Sequence, residues 1–211
     1  ELKSKYYMFE EYEEAIKLTG LDPYVTPMKI YTTLNIDVQD GINKALAGET
    51  VKWKDDVVQA GIAVTDVNTG AVIAIGAGRN RTTSQSFNFA TQARRQPGST
   101  AKPLFDYAPG IEFENWSTYQ LFTDEKWSYT NGPEVNNWDN KYSGLMTMKS
   151  ALAVSRNIPA LKAFQSLNKS KILEFVTSLG IEPEVENGFL HEAHAIGGFT
   201  GVSPLQMAVA Y

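Results

Sequence analysis

Ser99 and Lys102 are the residues of this chain with the most chemical promise, because a serine and a lysine three positions apart can make a nucleophile. Pro97 and Gly98 mark a turn just before them, which places Ser99 at or near a helix N-cap. Pro103, the residue after Lys102, is compatible with that helix only within its first turn. Residues three apart on a helix share a face, with roughly 5 to 6 Å between Cβ atoms, so Lys102 comes within reach of Ser99 Oγ. A serine hydroxyl is a poor nucleophile until a neighbouring base takes its proton. A lysine amine serves as that base once desolvation or nearby charge lowers its pKa toward neutrality.

Ser-x-x-Lys alone carries little information, since ordinary residue usage gives on the order of one match in a chain of this length. Ser166-Leu167-Asn168-Lys169 matches as well, in a stretch that reads as the polar end of a helix. Context separates the two: Ser99 has a Pro-Gly turn before it, a helix start, and the small Ala101 between serine and lysine. A second triplet, Ser155-Arg156-Asn157, follows residues 145–154, which read as helical, and precedes Ile158-Pro159-Ala160. It therefore sits on a joint between helices, where side chains are exposed. Ser-x-Asn is equally common, recurring at Ser86-Phe87-Asn88 and Ser166-Leu167-Asn168, and taken alone Ser155 and Asn157 read as turn and cap residues.

Ser-x-x-Lys, Ser-Asp-Asn and Lys-Thr-Gly together form the signature of class A β-lactamases and penicillin-binding proteins. The first two are present in that order, with Arg156 in place of the aspartate. The chain resembles the transpeptidase domain of class A, bifunctional penicillin-binding proteins over residues 28–211. Ile30-Tyr31-Thr32-Thr33-Leu34-Asn35-Ile36-Asp37-Val38-Gln39 resembles the family's domain-opening strand and helix, and residues 57–75 its first hairpin. Asn137-Trp138-Asp139 resembles the approach to the Ser155 motif, and Gly201-Val202-Ser203-Pro204-Leu205-Gln206-Met207-Ala208 a later helix. The resemblance implies an α+β fold, with a helical subdomain and part of an antiparallel sheet. No Lys-Thr-Gly or Lys-Ser-Gly triplet occurs, so the domain is expected to be truncated before its C-terminal strands, with residues 1–27 as an interdomain linker.

What the resemblance implies about activity is peptidoglycan cross-linking. Ser99 would attack the carbonyl between the two D-alanines of a stem peptide, with Lys102 as base. Ser155 would relay a proton to the leaving nitrogen, and Asn157 would hydrogen-bond Lys102 and the substrate amide. The Ser99 N–H would be half of an oxyanion hole. Trp138 and Arg156 are the candidate substrate-contacting residues. β-Lactam antibiotics would acylate Ser99, a glycosyltransferase domain would lie upstream, and the site would face the outside of the bacterial membrane. No cofactor or metal is implied. The same motifs leave open a D,D-carboxypeptidase, a serine β-lactamase, or a non-catalytic β-lactam-sensing or wall-binding domain. A β-lactamase is the poorer match, because its Glu-x-x-Leu-Asn loop is absent.

Composition agrees. With 43% hydrophobic and 20% charged residues, the 211-residue chain can bury a core, and at a net charge of −5 its sequence shows no basic stripe of the kind nucleic acid requires. It has no cysteine, and no apolar run approaches the ~18 residues of a membrane span. Residues 3–18 read as a charged, aromatic helix stopped by Gly20 and followed by a proline-bearing connector. Residues 62–65 and 71–75, apolar around Asp66-Val67-Asn68-Thr69-Gly70, read as a hairpin.

The remaining motifs read as structural. Residues 115–144 hold Trp116, Tyr119, Phe122, Trp127, Tyr129, Trp138 and Tyr142, which suit a long surface loop folded on its own rings or a wall of a substrate cleft. His191-Glu192-Ala193-His194 lacks a third ligand cluster and the zincin spacing, and reads as a polar loop. Gly197-Gly198-Phe199-Thr200-Gly201 lacks a P-loop lysine and reads as a flexible lead into a helix capped by Ser203, with Pro204 first.

Overall fold

The computed structural model describes residues 5–81 and 87–211. Lys3, the expected start of the first helix, and Ser86 of the Ser86-Phe87-Asn88 triplet lie outside them. The chain forms two compact units, one taking in Glu1–Ala93, Ser203–Val209 and Tyr211, the other Arg94–Val202 and Ala210. The mixture of helices and antiparallel strand pairs is the expected α+β class. No described helix is long and apolar enough to cross a membrane.

In the first unit, α1 (Lys5–Thr19) ends where Gly20 adopts φ +72° and donates its N–H to Ile16 O. Glu10 ties this helix down, its Oε1 accepting from Asn88 Nδ2 at 2.8 Å and Thr91 Oγ1 at 2.9 Å. α2 (Ile36–Ala47) starts at Asn35, whose Oδ1 accepts from the N–H groups of Asp37 and Val38. Among the described residues no strand precedes α2. The extended segment before it instead bonds to β2 directly, Asn35 N–H to Ile73 O and Thr33 Oγ1 to Val72 O. The hairpin is present as β1 (Ile62–Thr65) and β2 (Val72–Gly76), closed by Asp66 Oδ1 accepting from the Asn68 and Thr69 amides. Ile42 and Leu46 of α2 bury against Ala74, and a Cβ at Gly76 would lie 2.6 Å from Ile42 Cγ2.

The second unit is built around a helix running through residues 98–114. It is surrounded by α5 (Asn157–Ser166), α6 (Lys169–Ser178) and a 3₁₀ turn, Glu192–Ile196. The last turns of the central helix are α3 (Ala108–Glu114). Phe105, Ile158, Leu161, Phe164, Ile172, Val176 and Ile181 are fully buried around it. The aromatic stretch is not simply a surface loop. It contributes β3 (Leu121–Asp124), β4 (Trp127–Ser128) and β5 (Glu134–Val135), and Trp116 and Phe122 bury against Tyr107. Residues 145–147 are not helical either: β6 (Gly144–Thr147) pairs antiparallel with β3, and α4 is confined to Met148–Ala153 with Thr147 as N-cap. Pairing to β3 wins over the local apolar pattern, because Leu145 and Thr123 sit opposite each other in the ladder.

α7 (Pro204–Ala210) begins as expected, with Ser203 and Gln206 forming a reciprocal capping box and Pro204 in the first turn. The glycine stretch before it does more than supply flexibility. Gly197 has φ +71°, and a Cβ there would lie 2.0 Å from the carbonyl oxygen of Gly98, the residue before Ser99. Two backbones therefore meet where a side chain would wedge them apart. Gly180 shares the left-handed conformation, φ +80°, with open space around it. Gly197→Ala should cost clearly more stability than Gly180→Ala, which bears only the left-handed penalty of about 1 kcal/mol. Thermal or urea unfolding of the two variants measures the difference, and equal losses would show that the Gly98 contact is not tight.

Candidate active site

The helix carrying Ser99 changes register twice within two turns. Gly98–Ala101 is a 3₁₀ turn, Pro103–Tyr107 is a π turn, and α3 follows. Pro103 does not lie in the first turn, contrary to the simplest reading of its position, and the 3₁₀ start explains why it is tolerated. The Lys102 N–H donates to Ser99 O, so that carbonyl is already satisfied and the N–H that proline lacks is not needed. The wide turn after it lets the Ala108 N–H reach Pro103 O. Ser99 is thereby left exposed at the helix start while Lys102 points into the unit with 0% exposure.

Lys102 Nζ makes three short contacts: 2.7 Å to Ser155 O, 3.1 Å to Ser155 Oγ and 2.7 Å to Asn157 Oδ1. The two motifs thus meet at one amine. Among the described residues no hydrogen bond joins Ser99 Oγ to Nζ. Ser155 presents both of its oxygens because it holds φ +54°. It occupies the left-handed position of a Schellman motif ending α4, with Ser155 N–H to Leu152 O and Arg156 N–H to Ala151 O. Glycine normally fills that position, so the serine carries backbone strain of about 1 kcal/mol.

Asn157 opens α5, and the residue before it supplies no side-chain cap. Asn137 does so from twenty residues upstream, its Oδ1 accepting from the Asn157 N–H at 2.9 Å and the Ile158 N–H at 3.4 Å. The Asn137 Nδ2 donates to Asp124 Oδ1 and Lys141 O, and Asn157 Nδ2 donates to Asn136 O. Arg156, expected on the substrate side, turns its guanidinium inward. It is 7% exposed, pairs with Asp139 Oδ1 at 2.6 Å and bonds Ser143 Oγ. Its Nε lies 3.1 Å from Asp124 Oδ2 as an ion pair, at an angle too poor for a hydrogen bond. Trp138 is 69% exposed, with Nε1 donating to Val154 O at 3.1 Å, next to Ser155.

Burial lowers the Lys102 pKa to about 8, against the opposing attraction of Asp106 one turn further along the helix. Asp106 itself is completely buried with neither carboxyl oxygen hydrogen-bonded, and desolvation pushes its pKa well up. Asp106 and Asn137 are the participants that motif reasoning missed. The Lys102-Leu104-Asp106 stretch does contain an i, i+4 lysine–aspartate pair, a signal that could have pointed to Asp106. Asn137 has no comparable local signal. Ser166 bonds Ala163 O and stays apart from this cluster. His194 is buried against Phe199 with its ring nitrogens facing His191 O and Glu184 O.

Residues 60–211 match the family described as penicillin binding protein transpeptidase domain. Penicillin-binding protein 1A/1B of Bacillus subtilis is 45% identical over 99% of this chain, which spans 23% of that protein. Penicillin-binding protein 1A of Streptococcus pneumoniae is 33% identical over 97% of the chain, which spans 30% of it. The chain thus covers under a third of either relative. PonA1 of Mycobacterium tuberculosis, solved in complex with penicillin V, superimposes with a TM-score of 0.82 at 20% identity, over 98% of this chain and 57% of that one. At that identity the likeness establishes the fold.

Strain at Ser155 generates a stability test. Ser155→Ala keeps a Cβ in the left-handed conformation and loses the Oγ contact to Lys102, whereas Ser155→Gly loses the same contact and relieves the strain. The glycine variant should be more stable than the alanine variant by about 1 kcal/mol. Unfolding midpoints in denaturant decide it, and an alanine variant as stable as the glycine one would mean that the backbone there is not constrained.

Proposed function

The chain belongs to the penicillin-binding protein transpeptidase family, and we propose that it performs serine acyl transfer on peptidoglycan stem peptides, with Ser99 as nucleophile and Lys102 as its base. The observation that carries this reading is the buried Lys102 amine, held by Ser155 and Asn157 one turn after an exposed serine. A neutral amine has two N–H donors and one lone pair. All three contacts are to oxygens, which fix Nζ in place in either charge state, and the neutral form that acts as the base is made accessible by burial. Substrate binding then draws Ser99 Oγ within reach of Nζ, as catalytic hydrogen bonds commonly tighten only in the complex.

In the proposed sequence Ser99 Oγ bonds to the carbonyl carbon between two D-alanines as its proton passes to Lys102. The resulting oxyanion accepts from the Ser99 N–H, one of the unpaired amides of a helix start. Ser155 Oγ hands a proton to the departing nitrogen and recovers one from Lys102, the C–N bond breaks, and terminal D-alanine leaves. An amine of a neighbouring strand attacks the ester, transfers its proton back through the same groups, and frees Ser99 with a new amide formed. A β-lactam acylates Ser99 by the same first step. Trp138, exposed beside Ser155, supplies a wall for the stem peptide, and Arg156 fixes the loop on which Ser155 and Asn157 stand. The resemblance to class A, bifunctional penicillin-binding proteins implies a glycosyltransferase domain and a membrane anchor elsewhere in the intact protein, with this domain outside the membrane, and the chain's span of 23% and 30% of its two relatives leaves room for both.

Fluorescent penicillin tests the assignment. Covalent label should map to Ser99 and vanish in Ser99→Ala, while Lys102→Met, which keeps the stem and removes the amine, should slow acylation by about 10²- to 10⁴-fold. Label persisting in Ser99→Ala would falsify the nucleophile. The pH dependence follows in sign from Lys102: burial lowers its pKa to about 8, and only the neutral amine is a base. Acylation should rise with pH and level off above about 8, being roughly a hundredfold slower two units lower. Stopped-flow acylation across pH 6 to 10 reads this, and a flat profile would exclude Lys102 as the base.

A further inference from the structure

From the hydrogen bonds on both sides of its amide we infer that Asn137 is a positioning residue for acyl transfer, setting the place and the orientation of the Asn157 side chain that meets Lys102. The inference rests on the reading of Lys102 as the base and of Asn157 as its partner in the site.

α5 starts without help from the residue before it. Arg156 offers no acceptor, since a guanidinium only donates and its side chain is turned to Asp139, Ser143 and Asp124. The first amides of the helix therefore need an oxygen from elsewhere. Asn137 Oδ1 supplies it, accepting from the Asn157 N–H at 2.9 Å and the Ile158 N–H at 3.4 Å, and Pro159 adds no N–H of its own. The residue before Asn137 holds the same asparagine at its other end, because Asn136 O accepts from Asn157 Nδ2 at 2.8 Å. With Nδ2 occupied there, Oδ1 is the end of the Asn157 amide turned to Lys102 Nζ, 2.7 Å away. Two consecutive residues thus grip both the backbone and the side chain of Asn157.

Asn137 is itself held from behind. It is 2% exposed, and its Nδ2 donates to Asp124 Oδ1 at 2.7 Å and to Lys141 O at 2.8 Å. Both hydrogens and the carbonyl oxygen of its amide are in use, which fixes the way the group faces. The position needs an acceptor on one side and two donors on the other, and among side chains of this length only asparagine has both. Without it the Asn157 N–H and the N–H of the fully buried Ile158 lose their acceptor, and the opening of α5 is free to shift. A displacement of about 1 Å at such a group costs on the order of a hundredfold in rate.

The test is a double-mutant cycle in the intact protein, Asn137→Ala against Asn157→Ala, read as the rate of acylation by fluorescent penicillin well below each variant's unfolding midpoint. Each single variant should be slower by about ten- to a hundredfold. Because Asn137 acts through Asn157, its loss should cost under about threefold once Asn157 is alanine, a coupling of about threefold or more. Losses that simply multiply would overturn the inference and leave Asn137 a stabiliser of the fold. Two substitutions of similar size separate the acceptor from the volume. Asn137→Asp keeps the acceptor, its carboxyl sharing a proton with Asp124, whereas Asn137→Leu keeps only the bulk. The aspartate variant should be acylated about tenfold faster than the leucine variant, a comparison that stands even where the alanine variant does not fold. Equal rates, or a faster leucine variant, overturn the inference as well. An Asn157→Ala protein acylated at the wild-type rate would remove Asn157 from the site and this inference with it, while Ser99→Ala and Lys102→Met report separately on the nucleophile and the base.

Discussion

Burying the Lys102 amine is the constraint on which the second unit depends. A lysine taken fully out of water must find acceptors for its hydrogens or give up its charge. Here it does part of each. Ser155 O and Asn157 Oδ1 accept from it, and the absence of an anion at direct contact lets desolvation bring the amine toward neutrality. An aspartate in place of Asn157 would hold the ammonium form and spoil the base. The amide accepts a hydrogen bond without adding charge.

Keeping those acceptors in place requires a second layer. Three groups converge on Asp124: Asn137 Nδ2, the Arg156 guanidinium, and the Ser143 N–H. Asp124 belongs to β3 and Ser143 directly precedes β6, so one buried carboxylate links that strand pair to the Ser155 joint. Asn137 then fixes the first amide of α5, and with it the side chain of Asn157. Removing one member of such a network leaves buried partners unsatisfied, a larger penalty than the net worth of a single hydrogen bond. Ser155 completes the arrangement from the other side, held in a left-handed conformation by two helix-ending hydrogen bonds.

Legibility in the sequence followed range. Ser99, Lys102, Ser155 and Asn157 stand in two short triplets whose order is itself a signal, and the hairpin, the Gly20 stop and the Ser203 cap are likewise local. Residues 145–147 look helical in sequence because their apolar pattern suits a helix, and only their partner across the ladder, residues 121–123, makes them a strand. Asn137 acts across twenty residues and Gly197 against Gly98 across almost the whole second unit, distances at which neither composition nor periodicity speaks. Asp106 is an intermediate case. Its spacing from Lys102 is visible, but an aspartate in Pro103-Leu104-Phe105-Asp106-Tyr107 reads as a surface charge until the structure buries it.

Ser99 and Lys102 are prepared to different degrees. The amine is locked by three contacts and the helix behind it, while the serine side chain stands exposed on a 3₁₀ turn whose backbone is braced by Gly197. Reorganising a buried amine during reaction would cost desolvated hydrogen bonds, whereas turning an exposed serine about χ1 costs almost nothing. Pre-organisation is therefore concentrated on the group whose misplacement would be expensive, and the freedom is left to the group that must move from resting solvent contact to the acyl carbon. Pro103 makes that division possible. By lacking an N–H it favours the tight turn before it and the wide turn after it, which leaves the serine outside and carries the lysine in.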